Sequence, residues 1–156
     1  MERHRYRVVA WWTSERTGIA RSDSAPSAIH FASPPELGGL QGRWTPEDLL
    51  LCAVASCNTT TLRALADDSK LPYSDLEVAI EGTVENTDSG YRFTEIVLRP
   101  TVTISDEQDR ARALRLLQKA NSACLLSRAL SVEQRFESRV HMSESRVEFS
   151  QALPTA

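Results

Sequence analysis

The stretch Thr45-Pro46-Glu47-Asp48-Leu49-Leu50-Leu51-Cys52-Ala53-Val54-Ala55-Ser56-Cys57 decides how the rest of the chain is read. Thr45 is a good N-cap. Pro46 suits the first helical position, where its missing N–H is not needed, and Asp48 stands where a capping acid reaches back. Leu49 to Cys57 is then almost entirely apolar. A helix that is apolar all round is covered on every side. A chain of 156 residues has few such places, so the segment predicts a central helix covered partly by a second subunit. Its end is expected near Asp67–Asp68, with Leu71-Pro72 beyond as a stop signal.

Upstream of this helix, residues 5–12 and 28–32 read as strands. Residues 13–25 read as a turn-rich hairpin containing Arg16, Gly18 and Arg21, and the Pro/Gly-rich residues 33–44 as a loop. Downstream, Leu76, Val78 and Ile80 alternate with Glu77, Ala79 and Glu81, the period of a strand. Residues 86–90 form a hairpin turn, and residues 91–104 a second long strand in which Pro100 marks a bulge or an edge. Ser105 is read as the cap of a second helix, with Gln108 as its partner. Ala113, Leu117, Ala120 and Cys124 then fall on one helical face. Val132, Gln134, Phe136, Ser138 and Val140 share one side of a late strand, and Val147 and Phe149 suggest another. The order of elements argues for an α+β fold with an antiparallel sheet, in a single domain spanning residues 1–156.

Composition narrows the function classes. Charged residues make up 25% and hydrophobic ones 41% of the chain, ordinary values for a globular protein. The net charge of −3 gives no electrostatic reason to expect nucleic acid as a partner. No apolar run approaches the roughly 20 residues of a membrane span, so no membrane partner is expected. The N-terminus is charged and lacks the apolar core of a signal peptide, which predicts a cytoplasmic protein. Three cysteines without CxxC spacing or neighbouring histidines do not resemble a zinc cluster. Gly38-Gly39-Leu40-Gln41-Gly42 is a loop and not a nucleotide fingerprint. Neither a metal nor a cofactor is therefore expected.

Attention falls on the cysteines. Cys52 reads as a small buried hydrophobe. It precedes Cys57 by five residues and lies about 140° around the helix from it, so the two cannot face one site. Cys57 is followed by Asn58, Thr59, Thr60 and Thr61, a polar run that suggests a pocket beside the thiol. A reactive thiol needs a cation or a helix N-terminus to favour its thiolate. His4, His30 and His141 are remote in sequence, which leaves arginine, with Arg16, Arg21 and Arg43 as candidates. Arginine stays charged and does not compete for the proton. Glu47 complements the helix dipole at its start. A carboxylate there can equally fix an arginine in place.

Several segments together resemble one family. They are Pro34-Pro35-Glu36-Leu37-Gly38-Gly39, Thr45 to Leu50, Ala55-Ser56-Cys57, and Ala123-Cys124-Leu125-Leu126-Ser127-Arg128-Ala129-Leu130. Their combination and spacing, from about residue 5 to 141, are similar to the OsmC/Ohr family of thiol-dependent peroxidases. The resemblance implies an intertwined homodimer in which antiparallel sheets wrap two central helices, with active sites at the subunit interface. It implies that Cys57 is the peroxidatic cysteine, Cys124 the resolving cysteine and Glu47 the helix-start glutamate. Arg16, in Ser14-Glu15-Arg16-Thr17-Gly18, matches the activating arginine, with Arg21 as the alternative. The implied substrate is an organic hydroperoxide, and the implied reductant an external dithiol, in the family often a lipoyl group. Trp11, Trp12, Phe31 and Trp44 would line an apolar pocket, or else belong to core or dimer interface. Two features depart from the family pattern: Leu125 stands where members often carry proline, and the Thr59–Thr61 run is unusual. Two other classes stay open, a non-catalytic dimer of the same fold that binds a small apolar ligand, and a redox sensor.

Overall fold

The computed structural model describes residues 3–14 and 16–143. Val147 and Phe149 lie outside them. The chain forms two compact units that divide between Ala53 and Val54.

The first unit holds a three-stranded antiparallel meander, β1 (Val8–Ser14), β2 (Thr17–Ser22) and β3 (Ala25–Phe31), in that order. Residues 17–22, expected in a turn, are a strand. Gly18 makes this possible: it pairs with Phe31, whose ring lies where a Cβ on Gly18 would stand. Beyond β3, the Ala32 N–H donates to the Trp44 carbonyl at 2.9 Å and closes the Pro/Gly loop. Inside that loop is a short 3₁₀ turn, Pro35–Leu37, ended by Gly38 at φ 81°. A Cβ on the next residue, Gly39, would fall on the Ser33 carbonyl. Helix α1 (Pro46–Asp68) then starts and stops where the sequence predicts. The capping box is fully formed. The Thr45 N–H donates to Asp48 Oδ2 at 3.0 Å and the Asp48 N–H to Thr45 Oγ1 at 3.1 Å.

The burial of α1 differs from expectation. Only Val54, Asn58, Leu62 and Ala66 are buried, a single stripe at steps of four. Leu49, Leu50 and Leu51 are half-buried. Cys52, read as core, is exposed. It stands two residues from Val54, about 200° around the helix and thus opposite the stripe. By length and composition this helix, with mean hydropathy 1.4 in its most apolar window, is also sufficient to cross a membrane. No uninterrupted run announced this, because threonine, serine and asparagine are interspersed with the alanines and leucines.

The second unit pairs β4 (Asp75–Thr87) with β5 (Gly90–Ile104) in a long antiparallel hairpin. The alternation read in β4 is present: Leu76, Val78 and Ile80 are turned inward and their neighbours outward. Helices α2 (Arg110–Ala123) and α3 (Leu125–Ala129) follow, then β6 (Glu133–Phe136) and β7 (Arg139–Met142). Both late strands run parallel to β5, so this sheet is mixed rather than antiparallel. The physical reason is the helical crossover, which carries the chain back along the sheet before it pairs again. The one strand expected over residues 132–140 is thus two, arranged one after the other along one edge of β5. Pro100 lies at the break, between the Leu98–Phe136 and Thr101–Arg139 pairs, where a missing N–H costs no ladder bond. Arg99 closes the same break by donating to Glu137 at 2.8 Å and Glu81 at 3.1 Å. Asp106, and not Ser105, caps the 3₁₀ turn that leads into the second helix, whose own N-cap is Asp109. Asp106 is extended, its carboxylate accepts the Gln108 N–H at 2.9 Å, and a 3₁₀ turn leads into α2. The core of this unit is Leu62, Ala66, Leu71, Val102, Ile104, Ala113, Leu117, Ala120 and Val140.

Candidate active site

Cys57 and Cys124 lie in the second unit, on different elements, and the Cys57 side chain is near enough to Cys124 to help lower the pKa of its thiol. Both are free, Cys57 partly exposed and Cys124 fully buried. The periodicity that put Cys124 on the buried face of α2 with Ala113, Leu117 and Ala120 is correct up to its last member. Cys124 itself ends the helix. Its N–H still donates to the Ala120 carbonyl at 3.0 Å, but at φ −61°, ψ 115° its backbone is extended. It becomes the N-cap of α3, where its carbonyl accepts the Arg128 N–H at 3.1 Å. Leu125, the departure from the family pattern, is the first residue of α3 and exposed. Proline favours that position, yet the chain turns there without it.

Burial pushes the Cys124 thiol up. The Ser127 hydroxyl, the backbone N–H groups of Ser127 and Leu126, and the Cys57 thiol more than offset this, and the group lies below the ordinary thiol range. Ser127 Oγ is buried and makes no well-formed hydrogen bond, yet it lies near enough to Cys124 to favour its thiolate. Its own carbonyl is pinned by Gln134 Nε2 at 2.8 Å.

Beside Cys57 runs a second set of polar groups. Asn58 is fully buried and donates to Asn121 Oδ1 at 3.3 Å, and Asn121 donates to Ser138 Oγ at 3.3 Å. Asn58 Oδ1 is buried without a partner. Of the three threonines, Thr59 lines a cleft with Arg63, Tyr73, Ser74, Asp75 and Leu76, and Cys57 is not part of its lining. Thr60 and Thr61 donate to the Cys57 carbonyl at 3.0 and 2.8 Å, and Thr59 to that of Ala55 at 2.9 Å. Their hydroxyls are satisfied by their own helix.

The remaining predicted residues belong to the first unit. Arg16 is exposed in the β1–β2 turn. Arg21 lies over the Trp11 ring, 5.7 Å from its centre. Glu47 is half-buried in the first turn of α1, and its Oε2 is buried without a hydrogen-bond partner. Trp11, Trp12 and Trp44 are 42%, 55% and 50% exposed, so within this chain they line no closed pocket. Among the described residues, no group of three or more histidine, cysteine, aspartate or glutamate side chains is arranged to hold a metal ion. Ser127, Asn121 and Gln134 were not singled out from the sequence. The signal available for Ser127 was its place three residues after Cys124, the spacing of a capping residue and its partner.

The chain belongs to the OsmC-like protein family, whose pattern it matches over residues 39–139. It is 31% identical over 147 residues to the uncharacterized protein YmaD of Bacillus subtilis, covering 91% of this chain and 98% of that one. Its fold is similar to that of an OsmC-like protein of unknown function from Vibrio cholerae, with a TM-score of 0.75 at 15% identity over 90% of this chain and 100% of the other. It is similar also to the organic hydroperoxide resistance protein OsmC of Legionella pneumophila, with a TM-score of 0.70 at 24% identity over 89% and 99% of the two chains. The organic hydroperoxide resistance protein OhrB of Bacillus subtilis gives 0.61 at 20% identity, over 90% and 98%.

Proposed function

We propose that this protein is a thiol-dependent peroxidase that reduces organic hydroperoxides to alcohols and works as a homodimer. The observation that carries this is that Cys57 and Cys124, from distant parts of the chain, lie near enough for Cys57 to help lower the pKa of the buried Cys124 thiol. The Cys57 thiolate attacks the distal oxygen of ROOH. The O–O bond breaks, the alkoxide takes a proton and leaves as ROH, and Cys57 becomes a sulfenic acid. The Cys124 sulfur then attacks the Cys57 sulfur, water leaves, and a Cys57–Cys124 disulfide remains. An external dithiol restores both thiols by exchange.

In this reading Arg16 holds the thiolate and receives the developing alkoxide charge, and Glu47 orients Arg16. Two features support these roles. Glu47 keeps one buried carboxylate oxygen without a partner, an acceptor of the kind a guanidinium fills. Arg21 is already engaged with Trp11, which favours Arg16 over Arg21 in this role. The second copy is supported by the surface. Trp11 and Trp12 point to opposite faces of the first sheet and both are exposed, as is Tyr6 at 90%. Large apolar side chains left exposed on a sheet face are of the kind an interaction site uses.

The test is peroxide consumption measured with tert-butyl hydroperoxide and with hydrogen peroxide, each driven by dihydrolipoamide and by dithiothreitol. Faster turnover of the organic substrate, lost in Cys57→Ser and strongly slowed in Arg16→Ala, is the expected result. Turnover that survives Cys57→Ser refutes the mechanism. No turnover in any combination moves the protein to a non-catalytic or sensing role.

A further inference from the structure

The two cysteines are not equivalent, and their difference bears on how the disulfide is reduced. Cys124 is sealed at 0% exposure in the α2–α3 junction, whereas Cys57 is partly open on α1. Ser127, itself only 7% exposed, has a buried hydroxyl with no well-formed partner at rest. Its backbone cannot swing away, because its carbonyl accepts from both Gln134 Nε2 at 2.8 Å and the Leu130 N–H at 3.4 Å. A buried donor left unused is costly unless some state of the protein uses it.

We propose, building on the peroxidase reading, that the entering dithiol attacks the Cys57 sulfur and Cys124 departs as the leaving group, with the Ser127 hydroxyl positioned to receive its negative charge. The bookkeeping is complete with a dithiol as the only co-reactant. One thiolate of the dithiol forms a bond to Cys57 Sγ while the Cys57–Cys124 bond breaks, and the electron pair goes to Cys124. The Cys124 thiolate accepts a hydrogen bond from Ser127 and then a proton. The second thiol of the dithiol, deprotonated, attacks its own sulfur in the mixed disulfide, closes a cyclic disulfide and releases Cys57. The protein gains two electrons and the dithiol loses two.

Two independent factors give the same direction. Access favours attack at Cys57, since an incoming thiolate must reach the sulfur along the axis of the disulfide bond. Leaving-group ability favours release of Cys124, because exchange is faster when the departing thiolate is the more stabilised one. The groups around Cys124 hold it below the ordinary thiol range, which is the property a leaving thiolate needs. Ser127 thereby sets the direction and the rate of exchange without touching the peroxide.

The experiment begins with the full-length protein oxidised to its disulfide by diamide, so that it does not depend on peroxide chemistry. The disulfide is treated briefly with the monothiol 2-mercaptoethanol as probe, quenched in acid, alkylated and mapped by peptide mass spectrometry. The expected result is the mixed disulfide on Cys57 with Cys124 alkylated. An adduct on Cys124 overturns the proposal, as does failure of diamide to join the two cysteines. Ser127→Ala is expected to slow reduction by dihydrolipoamide about tenfold, by the same factor across the pH range in which the entering thiol ionises, and Ser127→Thr is expected to restore most of the rate. An unchanged rate in a folded Ser127→Ala protein removes Ser127 from the step. An adduct on Cys57 in a protein that consumes no peroxide leaves the exchange direction standing and sinks the peroxidase reading alone.

Discussion

Asn58, buried beside Cys57, allows a quantitative test of the polar groups around the thiol pair. Its amide donates one long hydrogen bond of 3.3 Å to Asn121, while its Oδ1 has no partner. A net intramolecular hydrogen bond contributes about 1 kcal/mol, whereas a buried polar atom left unsatisfied costs about 1–3 kcal/mol. The side chain therefore stabilises the fold little or not at all. Asn58→Leu removes both atoms and adds a modest overpacking cost of about 1 kcal/mol. Asn121 Oδ1, half-buried, loses its donor, so the expected loss in unfolding free energy is at most about 2 kcal/mol by these same magnitudes. Asn58→Asp differs. A carboxyl at a fully buried position has its pKa raised by about 3–5 units, each worth 1.36 kcal/mol. Because the native state then binds the proton more tightly than the unfolded chain, stability falls as pH rises above about 4 and levels off only past the raised value. Urea unfolding at fixed protein concentration, at pH 4 and pH 7, reads both effects. A loss of more than about 2 kcal/mol in Asn58→Leu refutes the accounting. It would mean that Oδ1 is satisfied in solution, for instance by a second copy of the chain.

Three further outcomes follow from the same structure. Leu117→Ala leaves a cavity in the core of the second unit, where Leu117 is 0% exposed, and should cost about 2–5 kcal/mol by denaturant unfolding. Gly39→Ala would drive a methyl group into the Ser33 carbonyl; the loop must rearrange, and a loss above about 1 kcal/mol with altered near-ultraviolet dichroism of Trp44 is expected. In a Cys52→Ser, Cys57→Ser double variant, which keeps a hydroxyl donor at position 57, thiolate absorbance should report Cys124 titrating below the ordinary value of about 8.5. Since the native pKa is the depressed one, the Cys124 thiolate contributes stability above the unfolded pKa, and this is lost as pH falls through the native value. A titration at or above 8.5 would mean that burial outweighs the hydrogen bonds around the sulfur.

The local elements were legible in the sequence because local chemistry dictates them. Thr45, Pro46 and Asp48 specify a helix start with backbone donors that any tertiary setting must satisfy, and the box forms as read. The alternation of β4 and the spacing of Ala113, Leu117 and Ala120 survive for the same reason: each records which side of an element meets the core. Both cysteines could likewise be singled out from their surroundings.

What the sequence could not decide depends on partners distant along the chain. Nothing local distinguishes a strand that returns antiparallel from one that returns parallel, so β6 and β7 were misread; the helical crossover decides it. Nothing local in residues 17–22 shows that Gly18 is needed beneath the Phe31 ring. The apolar character of α1 announces contact but not its direction, and only tertiary packing selects the Val54–Asn58–Leu62–Ala66 stripe and leaves Cys52 outside. Composition and local periodicity put Cys57 in the first helix and Cys124 on the inward face of the second helix. That these two thiols come near one another, and that a serine hydroxyl lies near the buried one, follows only from folding, because α1 and the α2–α3 junction are joined by a long intervening stretch of chain.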